Sequence, residues 1–118
     1  MPAKTHLVTR GDDYRYIVRK GNRVGGANSI THAVLHVERD QPARFGFIVS
    51  KAVGNAVTRN RVRRRLKSIV DRRLAGGFAG ADVVFRMLPR SAEASFQELE
   101  EETSRALDRV ERLRAESR

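Results

Sequence analysis

Apolar positions follow two periods along the chain. Across residues 30–38 they alternate as on a strand, with Thr31, Ala33, Leu35 and Val37 on one side and Ile30, His32, Val34, His36 and Glu38 on the other. The first side reads as core. The second mixes apolar and imidazole groups and suits a half-covered cleft floor. Phe45-Gly-Phe-Ile-Val-Ser50 is apolar on both sides and predicts a central strand. Residues 81–88 alternate again, Ala81, Val83, Phe85 and Met87 against Asp82, Val84, Arg86 and Leu88, until Pro89 closes the run.

Between the second and third strands the period becomes helical. Val62, Leu66, Ile69, Val70 and Leu74 fall on one stripe, Asn55 stands where an N-cap is needed, and Gly76, Gly77 and Gly80 end the helix. A last helix is announced by the capping box Ser95-Phe-Gln-Glu98, with Phe96, Leu99, Thr103, Leu107 and Val110 as its packing stripe. Glu98, Glu100, Glu101 and Glu102 lie in its first turns, where the helix dipole favours acids. Near the N-terminus, Asp12 or Asp13 caps a short helix carrying Tyr14, Ile17 and Val18, which Gly21 stops; Arg15, Arg19 and Lys20 decorate its other side. Gly25-Gly26 marks a turn, and residues 1–11 form a loosely held polar arm with Leu7 as its docking point. The order helix, strands, helix, strand, helix predicts one α+β domain over residues 1–118, a two-layer sandwich built on a single sheet. A crossover helix between two strands is right-handed by the general rule.

Charge changes the picture most. Lys and Arg number 24 against 14 Asp and Glu, a net +10, which points to a polyanionic partner. Residues 1–75 hold 17 cations and 5 acids, whereas residues 76–118 hold 7 and 9, so the basic function belongs to the first two thirds. Its centre is the middle helix. Arg59, Arg61, Arg63, Arg64, Arg65 and Lys67 place six cations within nine residues, and no acid follows before Asp71. Like charges at i,i+3 and i,i+4 cost a helix a few tenths of a kcal/mol per pair, a penalty that a bound anion removes. Arg also outnumbers Lys here, and a guanidinium forks onto phosphate and stacks on bases.

Other classes are excluded on composition. The absence of cysteine removes disulfides, thiolate metal sites and thiol nucleophiles. No apolar run reaches the roughly 20 residues of a membrane span, the N-terminal residues lack a signal-like apolar core, and the basic helix lacks the bulky face of an interfacial helix. A cytoplasmic protein is the expectation, with neither a membrane nor a second protein as partner. His32, His36 and Glu38 are the sole cluster with nuclease-like chemistry, but at about 7 Å per two strand residues they are too spread to share a metal. No catalytic or metal-binding side chain is therefore assigned.

The stretch Lys51-Ala-Val-Gly-Asn-Ala-Val-Thr-Arg-Asn-Arg-Val-Arg-Arg-Arg-Leu-Lys67, preceded by Arg-Phe-Gly-Phe-Ile-Val-Ser and followed by Asp-Val-Val-Phe-Arg-Met-Leu-Pro, resembles the protein component of bacterial ribonuclease P over nearly the whole chain. That resemblance implies a ribosomal-protein-like α+β sandwich in which the basic helix makes a left-handed crossover between parallel strands. It implies a subunit that binds a catalytic RNA and the 5′ leader of precursor tRNA, with hydrolysis carried out by the RNA and its magnesium. Arg59, Asn60, Arg61, Arg63, Arg64 and Lys67 match the motif facing the RNA subunit. Tyr14 and His36 match the aromatic and polar positions of the leader-binding cleft, with Lys51 and Arg86 as its cations. Val18, Ala52 and Met87-Leu88 depart from the family pattern, which thins the stacking and cationic groups around that cleft. The alternative is a ribosomal or assembly protein that binds RNA without any part in cleavage.

Overall fold

The computed structural model describes residues 2–116. Helix α1 (Gly11–Lys20) leads into strands β1 (Asn22–Gly25), β2 (Ser29–Leu35) and β3 (Arg44–Ile48). Helix α2 (Ala56–Ala75), strand β4 (Ala81–Met87) and helix α3 (Phe96–Glu116) follow, with single 3-10 turns at Lys4–His6 and Pro89–Ala92. The sheet order is β1-β2-β4-β3. β1 and β4 each pair antiparallel with β2, while β3 and β4 run parallel, so α2 is the crossover between two neighbouring parallel strands.

Pairing register sorts the side chains into two layers. Thr31 opposite Phe85, and Ala33 and Phe45 opposite Val83, belong to the face covered by α2 and α3. There Phe85 stacks between Phe45 and Phe47, each ring centroid 6.1 Å away, and Leu66 and Leu107 are fully buried against the same cluster. His32 and Gly46, both opposite Val84, belong to the other face. Ile17 of α1 packs there on Val84, with Tyr14, Val18, Val34 and Ile48 around it. β2 and β4 are the interior strands because each pairs with a neighbour on both sides.

Local signals account for the helix ends. Asn55 Oδ1 accepts from the Thr58 amide at 2.9 Å, which caps α2 as its sequence requires. The Ser95 hydroxyl accepts from the Glu98 amide at 3.1 Å while the Glu98 carboxylate accepts from the Ser95 amide at 3.0 Å, a complete capping box for α3. Gly21 ends α1 for a steric reason: a Cβ there would lie 2.5 Å from the Ile17 carbonyl oxygen and 2.9 Å from that of Ala33 on β2.

Several expectations are corrected. α1 begins at Gly11 behind Arg10, so Asp12 and Asp13 occupy its first turn instead of capping it. β1 was not anticipated, because four residues with Val24 as the only apolar side chain carry almost no period. β3 is an edge strand, not a central one. It is apolar on both sides because Phe45 and Phe47 meet the α2 layer while Gly46 and Ile48 meet α1. β2 stops at Leu35, which leaves Val37 99% exposed and outside the core. The segment expected as a loose arm lies along β3. Leu7 bridges to Phe45, the Val8 amide donates to the Phe45 carbonyl at 2.8 Å, and Val8 is buried.

Glu102, expected merely to face the helix dipole, is buried and ties α3 to the β1–β2 hairpin. It accepts from the Asn28 amide at 3.0 Å, from the Asn28 side chain at 3.2 Å and from the Ser29 hydroxyl at 2.5 Å. Gly26 must be small beside it, since a Cβ would lie 2.7 Å from the carboxylate.

Candidate nucleic-acid interface

The apolar stripe of α2 faces inward, with Val62, Leu66, Ile69 and Val70 buried. Its cations consequently lie on the flanks and crest of the helix, and four of the six from Arg59 to Lys67 are held in two pairs. Arg59 and Arg63 fold back on the β3–α2 turn, donating to the Gly54 carbonyl at 3.2 Å and the Val49 carbonyl at 3.4 Å; Arg63 also donates to the Asn60 side chain at 3.0 Å. Arg61 and Arg65 reach the opposite way, to the carbonyls of Ala92 at 3.0 Å and Ala94 at 3.1 Å. Arg64 and Asn60, one turn apart, are exposed on the crest.

All the protein partners found for these cations are neutral oxygens. Among the described residues no carboxylate lies within ion-pair distance of the six cations from Arg59 to Lys67; the pairs formed by α2 lie at its far end, Arg72 to Glu100 at 2.6 Å and Arg73 to Asp108 at 2.5 Å and to Glu111. Hydrogen bonds to carbonyls fix the direction of a guanidinium without neutralising it. The first three turns of α2 thus present oriented, uncompensated positive charge, the condition under which an anion binds most favourably.

The other sheet face carries a second, different site. Tyr14 is half-buried, its ring lying on Gly46, where an added Cβ would come within 2.6 Å, and its hydroxyl accepting from the Phe47 amide at 3.2 Å. On one side of Tyr14 a groove of about 400 Å³ is lined by Arg15, Val18, Arg19 and Ile48. On its other side a smaller hollow of about 180 Å³ runs past Val8 and Phe47 to Arg63 and Lys67 of α2. Arg86, exposed on β4, stands opposite Ile48 in register and so on the groove's face of the sheet. An apolar floor rimmed with cations is the arrangement that grips unpaired bases by stacking and their phosphates by charge. Val18, noted as a departure, contributes to that floor, whereas Met87 is buried in the core on the other face. Lys51 and Ala52 lie exposed in the turn before α2.

His36 does not join this groove. It lies beyond the end of β2, its side chain only 8% exposed, and Nε2 donates to Asp82 Oδ1 at 2.8 Å. Arg44 donates to the same carboxylate at 3.0 and 2.7 Å and reaches Asp13 at 3.4 Å. Burial alone would raise the Asp82 carboxyl, but the hydrogen bonds from Arg44 and His36 outweigh it and hold the group below the ordinary carboxylate value. With its side chain almost wholly buried the ring offers no exposed face for stacking, so the placement of His36 in the cleft is corrected.

The imidazole that does lie beneath α1 is His32. It is 5% exposed, and both ring nitrogens are buried without a hydrogen-bond partner. Burial, then the charges of Arg23 and Arg86, lower its pKa and keep the ring neutral. The alternation of β2 put His32 and His36 on the same side; what it could not show was that the strand ends between them. Among the described residues no group of three or more His, Asp or Glu side chains is placed to hold a metal ion, and no helix is long and apolar enough to cross a membrane.

Among the described residues, one mixed four-stranded sheet and three α-helices, one of them a cation-rich crossover, define the class: a small basic α+β protein with its charge concentrated on α2. Residues 1–111 match the family model described as Ribonuclease P. The chain is 44% identical to the ribonuclease P protein component of Clavibacter michiganensis, covering 95% of this chain and 98% of that one, and 39% identical to that of a Nocardioides species, covering 93% and 95%. Its fold matches the ribonuclease P protein of Staphylococcus aureus with a TM-score of 0.79 at 20% identity, covering 89% and 94% of the two chains. The corresponding protein of Thermotoga maritima gives 0.72 at 21% identity, covering 82% and 90%. The chain belongs to the ribonuclease P protein component family.

Proposed function

We propose that this protein binds the ribonuclease P RNA through α2 and the single-stranded 5′ leader of precursor tRNA through the α1 groove, so promoting removal of the leader. The observation that carries the reading is the uncompensated charge from Arg59 to Lys67, six cations of which Arg59, Arg61, Arg63 and Arg65 are directed by hydrogen bonds to neutral oxygens. Arg59, Asn60, Arg61, Arg63, Arg64 and Lys67 contact the RNA subunit, with Arg64 and Asn60 outermost. Tyr14 supplies the stacking surface for the leader, Val18 and Ile48 extend it, and Arg15, Arg19 and Arg86 hold its phosphates. Phosphodiester hydrolysis and the magnesium that serves it belong to the RNA subunit. The protein's contribution is to hold the substrate against that RNA and to lower the repulsion between two polyanions.

The test is multiple-turnover cleavage of a precursor tRNA at low magnesium by a bacterial ribonuclease P RNA, with the protein, without it, and by the protein alone. Efficient release of the mature 5′ end by the mixture alone is the expected result. A protein that binds structured RNA yet leaves cleavage unchanged belongs with ribosomal or assembly proteins. Cleavage by the protein alone would overturn the assignment of hydrolysis to RNA.

A further inference from the structure

A further hollow lies away from both sites. A groove of about 560 Å³ separates the tip of the β1–β2 hairpin from α3. It opens at the β1 edge of the sheet, the edge opposite β3. One wall is the Gly25-Gly26-Ala27 backbone, which carries no side chain larger than a methyl; the other is α3, where Arg105, Arg109 and Arg112 line it. The three arginines fall at i, i+4 and i+7, on one helical face. They are exposed, and among the described residues none has a hydrogen-bond or ion-pair partner.

Their lack of partners is a consequence of how α3 packs. Its acids Glu100, Asp108 and Glu111 are taken by Arg72 and Arg73 of α2, and Arg114 turns inward to the His36 carbonyl. Glu101, one turn before Arg105, is hydrogen-bonded by Gln97 at 3.4 Å. Glu102 is the acid on the groove floor, and its oxygens already accept from Asn28 and Ser29. A helix richer in acids than bases thus turns its unmatched bases toward one concave surface.

We propose that this groove is a second phosphodiester-binding surface, in which Arg105, Arg109 and Arg112 contact an RNA backbone while the bare Gly25-Gly26-Ala27 wall allows that backbone to come close. The inference rests on the ribonuclease P reading and adds to it. The groove lies at the β1 side of the sheet, whereas α2 is the crossover between β3 and β4, so one small subunit can touch two RNA segments at once. The chemistry is that of phosphodiesters, supplied by either the RNA subunit or the precursor tRNA.

The test compares wild type, Arg64→Ala, the triple variant Arg105→Ala/Arg109→Ala/Arg112→Ala and the corresponding triple Lys variant. Affinity for ribonuclease P RNA, and of the assembled holoenzyme for precursor tRNA, is measured across a salt series, with melting curves as a check on folding. The triple Ala variant is expected to melt as wild type, to lose on the order of tenfold in affinity for one of the two RNAs, and to show a log-log salt slope shallower by about 2. The triple Lys variant is expected to recover most of the slope. The RNA affected identifies the source of the strand. Unchanged affinity and slope for both RNAs, alongside weakened binding by Arg64→Ala, overturns the groove alone. No effect from either variant overturns the proposed function as well. Loss of binding to a polyglutamate peptide with RNA affinity unchanged assigns the groove to an acidic protein segment and overturns the RNA inference.

Discussion

The two ends of α2 use the same residue type in opposite ways. At the C-terminal end Arg72 and Arg73 meet Glu100, Asp108 and Glu111 of α3, and Arg73 is partly shielded, with its side chain 23% exposed. At the N-terminal end Arg59, Arg61, Arg63 and Arg65 meet only carbonyl and amide oxygens. The first arrangement satisfies charge within the fold, whereas the second fixes direction and leaves charge for another molecule. Counting arginines along a helix cannot separate these roles; the nature of their acceptors can.

The largest expected effect tests the unpaired end. Arg61→Ala/Arg64→Ala/Lys67→Ala should lower affinity for ribonuclease P RNA on the order of a hundredfold and flatten the log-log salt slope by about 2, with little change in melting. A steep slope that survives would break the contrast between the two ends. Next, Tyr14→Ala should cost roughly 1–3 kcal/mol in affinity for substrates with long leaders, while mature tRNA and the RNA subunit bind as before. Equal loss for both substrates would remove Tyr14 from the leader site. Glu102→Ala leaves the buried Asn28 amide without its acceptor and should lower stability by about 1–3 kcal/mol in denaturant titrations.

Arg73→Ala should cost about 1 kcal/mol of stability and leave RNA affinity unchanged, the reverse of the outcome at Arg64. The smallest effect is in pH. The pKa of His32 is lowered from its ordinary 6.5, so the unfolded chain takes up the proton first. Stability should be fully present above about pH 6.5 and decline as pH falls below it, and His32→Gln should flatten that part of a melting-against-pH curve.

What was legible in the sequence was local. The Asn55 cap, the Ser95 and Glu98 box, the α2 stripe and the alternation of β4 each depend on residues a few positions apart, and each is found where the pattern put it. What escaped depends on distant partners. His36 is held by Asp82, 46 residues away, and Glu102 by Asn28, 74 residues away, and neither pairing leaves a mark on its own neighbourhood. β3 was misjudged for the same reason, since its apolar sides record two covering layers and not two neighbouring strands. The basic character of α2 was evident from composition, whereas the division of its arginines between α3 and the solvent was not.

The placement of β3 at the margin of the sheet has a consequence for self-association. An edge strand displays unpaired backbone donors and acceptors that a second chain can use to extend the sheet. Here Leu7 and Val8 occupy that side of β3 at Phe45, and the His6 ring meets the Ala43 carbonyl at 2.7 Å. The N-terminal segment therefore acts as a guard against strand addition as well as a wall of the hollow beside Tyr14. A chain shortened past Val8 would keep its basic helix intact and yet expose a sticky margin, favouring dimers and larger aggregates built through β3.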